Sequence, residues 1–226
     1  MNTTDNSLTN QRVLILISVL SIACFLPLTF WHNPFFGLNQ PVNLWAANLQ
    51  LGNEFTQAAN LVSKLFDTTV LLACSLPIAA VLFYKKYKAD ALLLVGVMGV
   101  DAIALSIIKS FVVSPRPLNG LVFEDGSSFP SGHVTTTIVL FGLLTFFVWQ
   151  TLKSVRPKIA MAALTLALTV AVGFDRIYLN VHWLSDVLAA PFLALFILAT
   201  SLLIMQCLTG WYNKRHNAVF RGDSTV

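Results

Sequence analysis

The chain has 226 residues, of which 56% are hydrophobic and 11% charged, and its formal net charge is +4. Soluble domains carry about twice that share of charge, so a water-soluble domain is excluded, and so small a surplus makes no electrostatic case for nucleic acid. A mean hydropathy of +0.74, with several stretches approaching the ~20 apolar residues that cross a bilayer, points to an integral membrane protein.

The first apolar run is 13–31. Its leader holds one aspartate and one arginine, Asp5 and Arg12. The run is too long for the apolar region of a signal peptide and no small-residue cleavage site follows, so it is expected to remain as a membrane helix. The connection 32–65 opens within an aromatic stretch, "FLPLTFWHNPFFGLNQPVNLW" (25–45), expected to form an interfacial belt or a short re-entrant helix. The second run, 66–84, begins beside Lys64 and Asp67, which are expected to pair. The third, 91–113, carries Asp101 deep inside and Lys109 near its end. Asp101 reads as a polar contact to a neighbouring helix, with Gly96 and Gly99 allowing close approach; an intramembrane carboxylate is otherwise a functional candidate. After the connection 114–132 come the runs 133–152, 159–178 and 184–208. No Gly/Ser linker or low-complexity tract divides the chain. The expected fold is therefore all-α, one integral membrane six-helix bundle over 1–226 with a re-entrant or short-helix outer loop region. Cys24, Cys74 and Cys207 lie in apolar runs without metal-type spacing, and read as small buried or lipid-facing residues.

The basic residues set the topology. Arg12, Lys85, Lys86, Lys88, Lys153, Arg156, Lys158, Lys214, Arg215 and Arg221 fall at one set of segment ends. Only Lys64, Lys109, Arg116 and Arg176 fall at the other. The positive-inside rule then places both termini in the cytoplasm and turns 32–65, 114–132 and 179–183 outward. Three of the four outward cations sit close in sequence to Ser131, His133, His182 and Asp186. His32 and His216 stand apart and read as solvated interfacial side chains.

Three stretches carry chemistry: "KSFVVSPRP" (109–117), "PSGH" (130–133) and "DRIYLNVHWLSD" (175–186). His182 and Asp186 are four apart and share a face if helix begins by His182. A carboxylate on one imidazole nitrogen leaves the other free as base or nucleophile; the plainer alternative is a structural pair at a helix end. In "PSGH", proline suits a first helical turn, serine an N-cap, and glycine the close approach of backbone to a ligand. Free amides at a helix start bind anions, which makes this stretch a candidate phosphate cradle with His133 placed to protonate a leaving oxygen. The alternative is a capped helix with an incidental histidine. Lys109 and Arg116 can converge on an anion, or can be interfacial side chains that snorkel. What favours a single site is that all of these residues project to one side of one membrane.

Together the stretches match a signature of the form Lys-x6-Arg-Pro, Pro-Ser-Gly-His and Ser-Arg-x5-His-x3-Asp. The chain thus resembles the type 2 phosphatidic acid phosphatase family, which also includes acid phosphatases and vanadium-dependent haloperoxidases. The likeness runs from 109 to 186, and the six-run pattern extends it over the chain. It implies that His182 is the nucleophile and forms a phosphohistidine, that Asp186 orients it, and that His133 protonates the leaving group. Lys109, Arg116, Arg176, Ser131 and the Gly132 amide would bind phosphate, with no metal and no cofactor. One position departs: Asp175 stands where the pattern has serine. It either weakens phosphate binding, pairs with Arg176, or orients that arginine from behind.

The resemblance leads to a lipid phosphatase of bacterial inner-membrane type, with its site on the outer face and a lipid phosphate or diphosphate as substrate. By family analogy the first candidate is undecaprenyl diphosphate; phosphatidylglycerol phosphate and phosphatidic acid are alternatives. Rival readings are a phosphotransferase that passes the group to another lipid such as lipid A, a haloperoxidase, and a non-enzymatic membrane protein.

Overall fold

The computed structural model of the chain describes residues 3–31, 37–49 and 52–220. These form eight helices: α1 (Thr3–Trp31), α2 (Asn39–Asn48), α3 (Asn53–Leu65), α4 (Thr68–Tyr84), α5 (Lys88–Phe111), α6 (Gly132–Thr151), α7 (Val155–Tyr178) and α8 (Leu184–Phe220). The six apolar runs correspond to α1 and α4–α8, and the short-helix outer region is α2 and α3. His32 lies outside the described residues, as does part of the aromatic stretch, and for His216 only the backbone is described.

Five of the helices are long and apolar enough to cross a bilayer: α1, α5, α6, α7 and α8. The 17 residues of α4 reach only about 25 Å at ~1.5 Å per residue, short of a ~30 Å hydrocarbon core. The preceding α3 joins α4 at a 52° bend, and the pair supplies a sixth span if it is counted as one.

The centre of the bundle is α6, packed against α4, α5, α7 and α8, while α1 lies along α8. Its first turns are buried without a break, from Gly132 to Leu140. Three consecutive threonines there are fully buried and all bonded: Thr135 to the Ser131 carbonyl, Thr136 to Asp101 Oδ2 at 2.7 Å and Thr137 to the His133 carbonyl. Polar groups out of reach of water must be satisfied within the protein. Asp101 therefore makes the interhelical contact expected of it, between α5 and α6.

Two expectations are corrected. Gly96 and Gly99 do not mediate close packing, since a Cβ at either would meet nothing within 4 Å. The close approaches are at Gly132, where a Cβ would stand 2.9 Å from Thr68 Oγ1, at Gly142 against Leu198, and at Gly173 against Val187. Nor do Lys64 and Asp67 pair. Asp67 caps α4, accepting from the Thr69 amide at 2.8 Å and from the Thr69 hydroxyl, because the break before α4 leaves amides that need an acceptor.

Helices α2 and α3 brace the turn between α7 and α8. Asn39 of α2 donates to the Ser185 hydroxyl and accepts from the Ser185 amide, and Asn43 bonds to Asn180. Thr56 of α3 bonds to the Tyr178 hydroxyl at 2.8 Å, with Phe55 edge-on to the same ring. This turn carries His182.

Candidate active site

His182 precedes α8, which begins at Leu184, so the His–Asp pair is not set by two helical positions. Asp186 lies in the first turn of α8, where its Oδ2 accepts from the Trp183 amide at 2.9 Å and sits 3.3 Å from His182 Nδ1. The imidazole is almost fully buried. With Nδ1 donating to the carboxylate, Nε2 presents its lone pair, 3.4 Å from Arg116 Nη1. Burial, reinforced by the positive charges of Arg116, Lys109 and Arg176, holds the His182 pKa well below its ordinary 6.5. The ring is thus neutral at physiological pH, the state a nucleophile requires.

Arg116 is fixed by the backbone. Its Nη1 donates to the Val181 carbonyl and its Nη2 to the Asp125 carbonyl, both at 2.9 Å, and its Nε to the Gly126 carbonyl at 3.3 Å. Arg176, in the last turn of α7, has no exposed surface. Asp175 Oδ2 accepts from its Nε at 3.0 Å and also from its Nη2, while Nη1 faces inward, 3.3 Å from His133 Nε2. Of the roles open to Asp175, the geometry fits orientation of Arg176 from behind. Lys109 closes the set: its Nζ donates to the Ser127 carbonyl at 2.7 Å and lies within electrostatic reach of Arg116, Glu124 and Asp186.

At "PSGH" the helix begins two residues later than proline at its first position would require. Pro130 lies outside α6 and Ser131 takes the N-cap position without a capping bond. Its backbone amide donates to the Asp186 carbonyl at 3.2 Å, and its buried hydroxyl has no hydrogen-bond partner among the described residues. At Gly132 the side a Cβ would occupy is filled by Thr68, so packing alone requires glycine there.

Two acids beside these residues were not assigned to the site from the sequence. Glu124, in the loop before α6, spans both arginines, with Oε1 3.0 Å from Arg176 Nη1 and Oε2 3.6 Å from Arg116 Nη2. Asp67 Oδ2 lies 3.8 Å from His133 Nε2. Glu124 is a lone acid without a fixed motif spacing; the one available cue was an acidic pair, Glu124-Asp125, in a loop that also supplies Arg116. Among the described residues no group of three His, Cys, Asp or Glu side chains is placed to hold a metal ion. All eight candidate residues fall in one region at the shared end of α5, α6, α7 and α8.

The fold and this cluster define a polytopic helical membrane protein with histidine and arginine side chains gathered at one end of its bundle. Residues 90–209 match the PAP2 superfamily, and the chain belongs to it. Phosphatidylglycerophosphatase B of Bacillus subtilis (strain 168) is 29% identical over 138 residues, covering 60% of this chain and 68% of that protein. Among solved structures, the first transmembrane PAP2 type phosphatidylglycerolphosphate phosphatase from Bacillus subtilis superposes with a TM-score of 0.72 at 25% identity, covering 87% of this chain and 96% of that one. Aquifex aeolicus LpxE gives a TM-score of 0.55 at 21% identity, covering 74% and 96%, a likeness of fold alone.

Proposed function

We propose that the chain is a membrane lipid phosphatase that releases inorganic phosphate through a phosphohistidine on His182. The observation that carries this reading is a pair of contact strings, Asp186–His182–Arg116 and Arg176–His133, joined through Glu124, which sets each imidazole beside a guanidinium group. Phosphoryl transfer needs positioning and charge stabilisation more than covalent help from the protein. Arg116, Arg176 and Lys109 would hold the phosphate oxygens, assisted by the Ser131 hydroxyl and the Gly132 amide. His182 Nε2 would attack phosphorus as the bond to the leaving oxygen breaks, and His133, having taken up a proton as the substrate's phosphate brings negative charge beside it, would give that oxygen its proton. Neutral His133 would then take a proton from water, whose oxygen attacks phosphorus, breaks the P–N bond and frees phosphate. Three fixed cations supply the charge stabilisation, so no metal is required by this scheme.

Phosphatidylglycerol phosphate replaces undecaprenyl diphosphate as the first candidate substrate, because the named relative and the solved structure with the higher TM-score are both phosphatases for it. The site would face outward, since Arg12, Lys85, Lys86, Lys88, Lys153, Arg156 and Lys158 gather at the opposite end of the bundle. Labelling of a Leu118→Cys protein by an impermeant maleimide in intact cells checks this side, and labelling only after permeabilisation would reverse it.

The mechanism is tested by alkaline rapid quench with 32P-labelled substrate and peptide mapping. Base-stable, acid-labile label on His182 is expected; label on another residue would refute the assignment.

A further inference from the structure

In-line displacement puts the nucleophile and the leaving oxygen on opposite sides of phosphorus. Here His182 stands on the Arg116 side and His133 on the Arg176 side, so the leaving group departs past His133. His133 forms part of the wall of a cavity of about 340 Å³, completed by Asn60, Ser63, Lys64, Asp67 and Glu124 beside a few apolar residues. Most of this polar wall comes from α3 and the α3–α4 break, outside every motif in the sequence. A cavity of about 400 Å³ between α5 and α8 is by contrast almost wholly apolar, lined by residues such as Leu92, Val97 and Ile204.

The charges in the polar cavity are unequally committed. Glu124 is held by the two arginines. Asp67 is held by Thr69 and lies beside His133. Lys64 forms no ion pair among the described residues and is exposed. What remains to meet a ligand is therefore one cation, with the Asn60 amide and the Ser63 hydroxyl as polar partners. A diacylglycerol leaving group offers them little, and would have to lay ester and acyl carbon against polar groups that lose water without gaining partners. A leaving group with hydroxyls and a second phosphate would satisfy them.

We infer that this cavity is the leaving-group subsite, and that Lys64 and Asn60 select lipids whose reacting phosphate is carried on a short polar segment bearing a second anion. The inference rests on the lipid phosphatase reading and narrows its substrate class. The second anion has two possible sources: the phosphodiester of a phosphatidylglycerol phosphate, three carbons from the reacting ester, or the inner phosphate of a polyprenyl diphosphate.

The test compares kcat/KM in mixed micelles for phosphatidylglycerol phosphate, a polyprenyl diphosphate and a phosphatidic acid with the same acyl chains as the first. Wild-type protein, Lys64→Gln and Asn60→Leu are each assayed on all three. Ratios are taken within one preparation, so a variant that folds in lower yield still reports. Wild type is expected to prefer an anion-bearing substrate to phosphatidic acid, and Lys64→Gln to shrink that preference roughly tenfold, the scale of one charge-assisted hydrogen bond. A loss confined to phosphatidylglycerol phosphate, with Asn60→Leu acting in the same direction, identifies the phosphodiester; a loss confined to the diphosphate identifies the inner phosphate. Unchanged ratios in both variants, or phosphatidic acid as the best wild-type substrate, would overturn the subsite while leaving the phosphatase reading intact. No phosphate from any of the three lipids would overturn both.

Discussion

At the scale of single residues, the site joins a buried neutral histidine to cations that anchor themselves on backbone carbonyls. Because burial and neighbouring positive charge lower the His182 pKa, protonation that would remove its Nε2 lone pair occurs only at a pH below 6.5. The kcat/KM profile, corrected for ionisation of the substrate, should therefore keep its plateau through pH 6.5 and fall on the acid side of it. An acid limb centred above 6.5 would contradict the assigned state. Glu124 lies where an anion held by both arginines would lie, so a substrate phosphate has to displace it. Glu124→Gln should lower the inhibition constant of inorganic phosphate by roughly fivefold, the upper range for one partly exposed ion pair. A rise would mean instead that Glu124 aligns the arginines. The eight candidate residues were legible because their spacings fix them as a set. Glu124 was not, since a single acid in a loop acquires meaning only when folding brings Arg116 and Arg176 to its two oxygens.

At the scale of elements, the apolar runs predicted the spanning helices closely, because a lipid environment rewards uninterrupted apolar length. The differences lie at the ends. The first helix starts at Thr3 and the last continues to Phe220, since polar flanks do not break a helix and hydropathy does not register them. Glycine roles were misread for a related reason: sequence marks where a Cβ is missing but not what faces the gap. At Gly132 the gap is filled by Thr68, and at Gly96 it opens onto the apolar groove between α5 and α8. Gly132→Ala should thus cost about 1–3 kcal/mol through overpacking, whereas Gly96→Ala should be neutral or stabilising by up to about 1 kcal/mol from helix propensity. Thermal unfolding of both variants in detergent checks this, and equal shifts would contradict the packing assigned to α4 against α6.

At the scale of the whole molecule, the bundle separates two jobs along its length. One end collects lysines and arginines, with Lys88 over the Phe83 ring and Lys158 over the Trp149 ring, an arrangement suited to anchoring at a charged interface. The other end keeps few positive charges, and three of them, Lys109, Arg116 and Arg176, gather beside His133 and His182 in the candidate site. Between them α6 runs through the core and delivers Ser131, Gly132 and His133 to that site. In the mechanism we propose, this end of the bundle hydrolyses a lipid phosphate at His182 without a metal. The most direct test is phosphate release from phosphatidylglycerol phosphate in micelles containing excess EDTA, with wild-type and His182→Ala proteins side by side. Sustained turnover by wild type and a loss of at least about a thousandfold in the variant are predicted, as expected when a covalent nucleophile is removed. Abolition of wild-type activity by EDTA, or turnover retained by His182→Ala, would refute metal-free catalysis at His182.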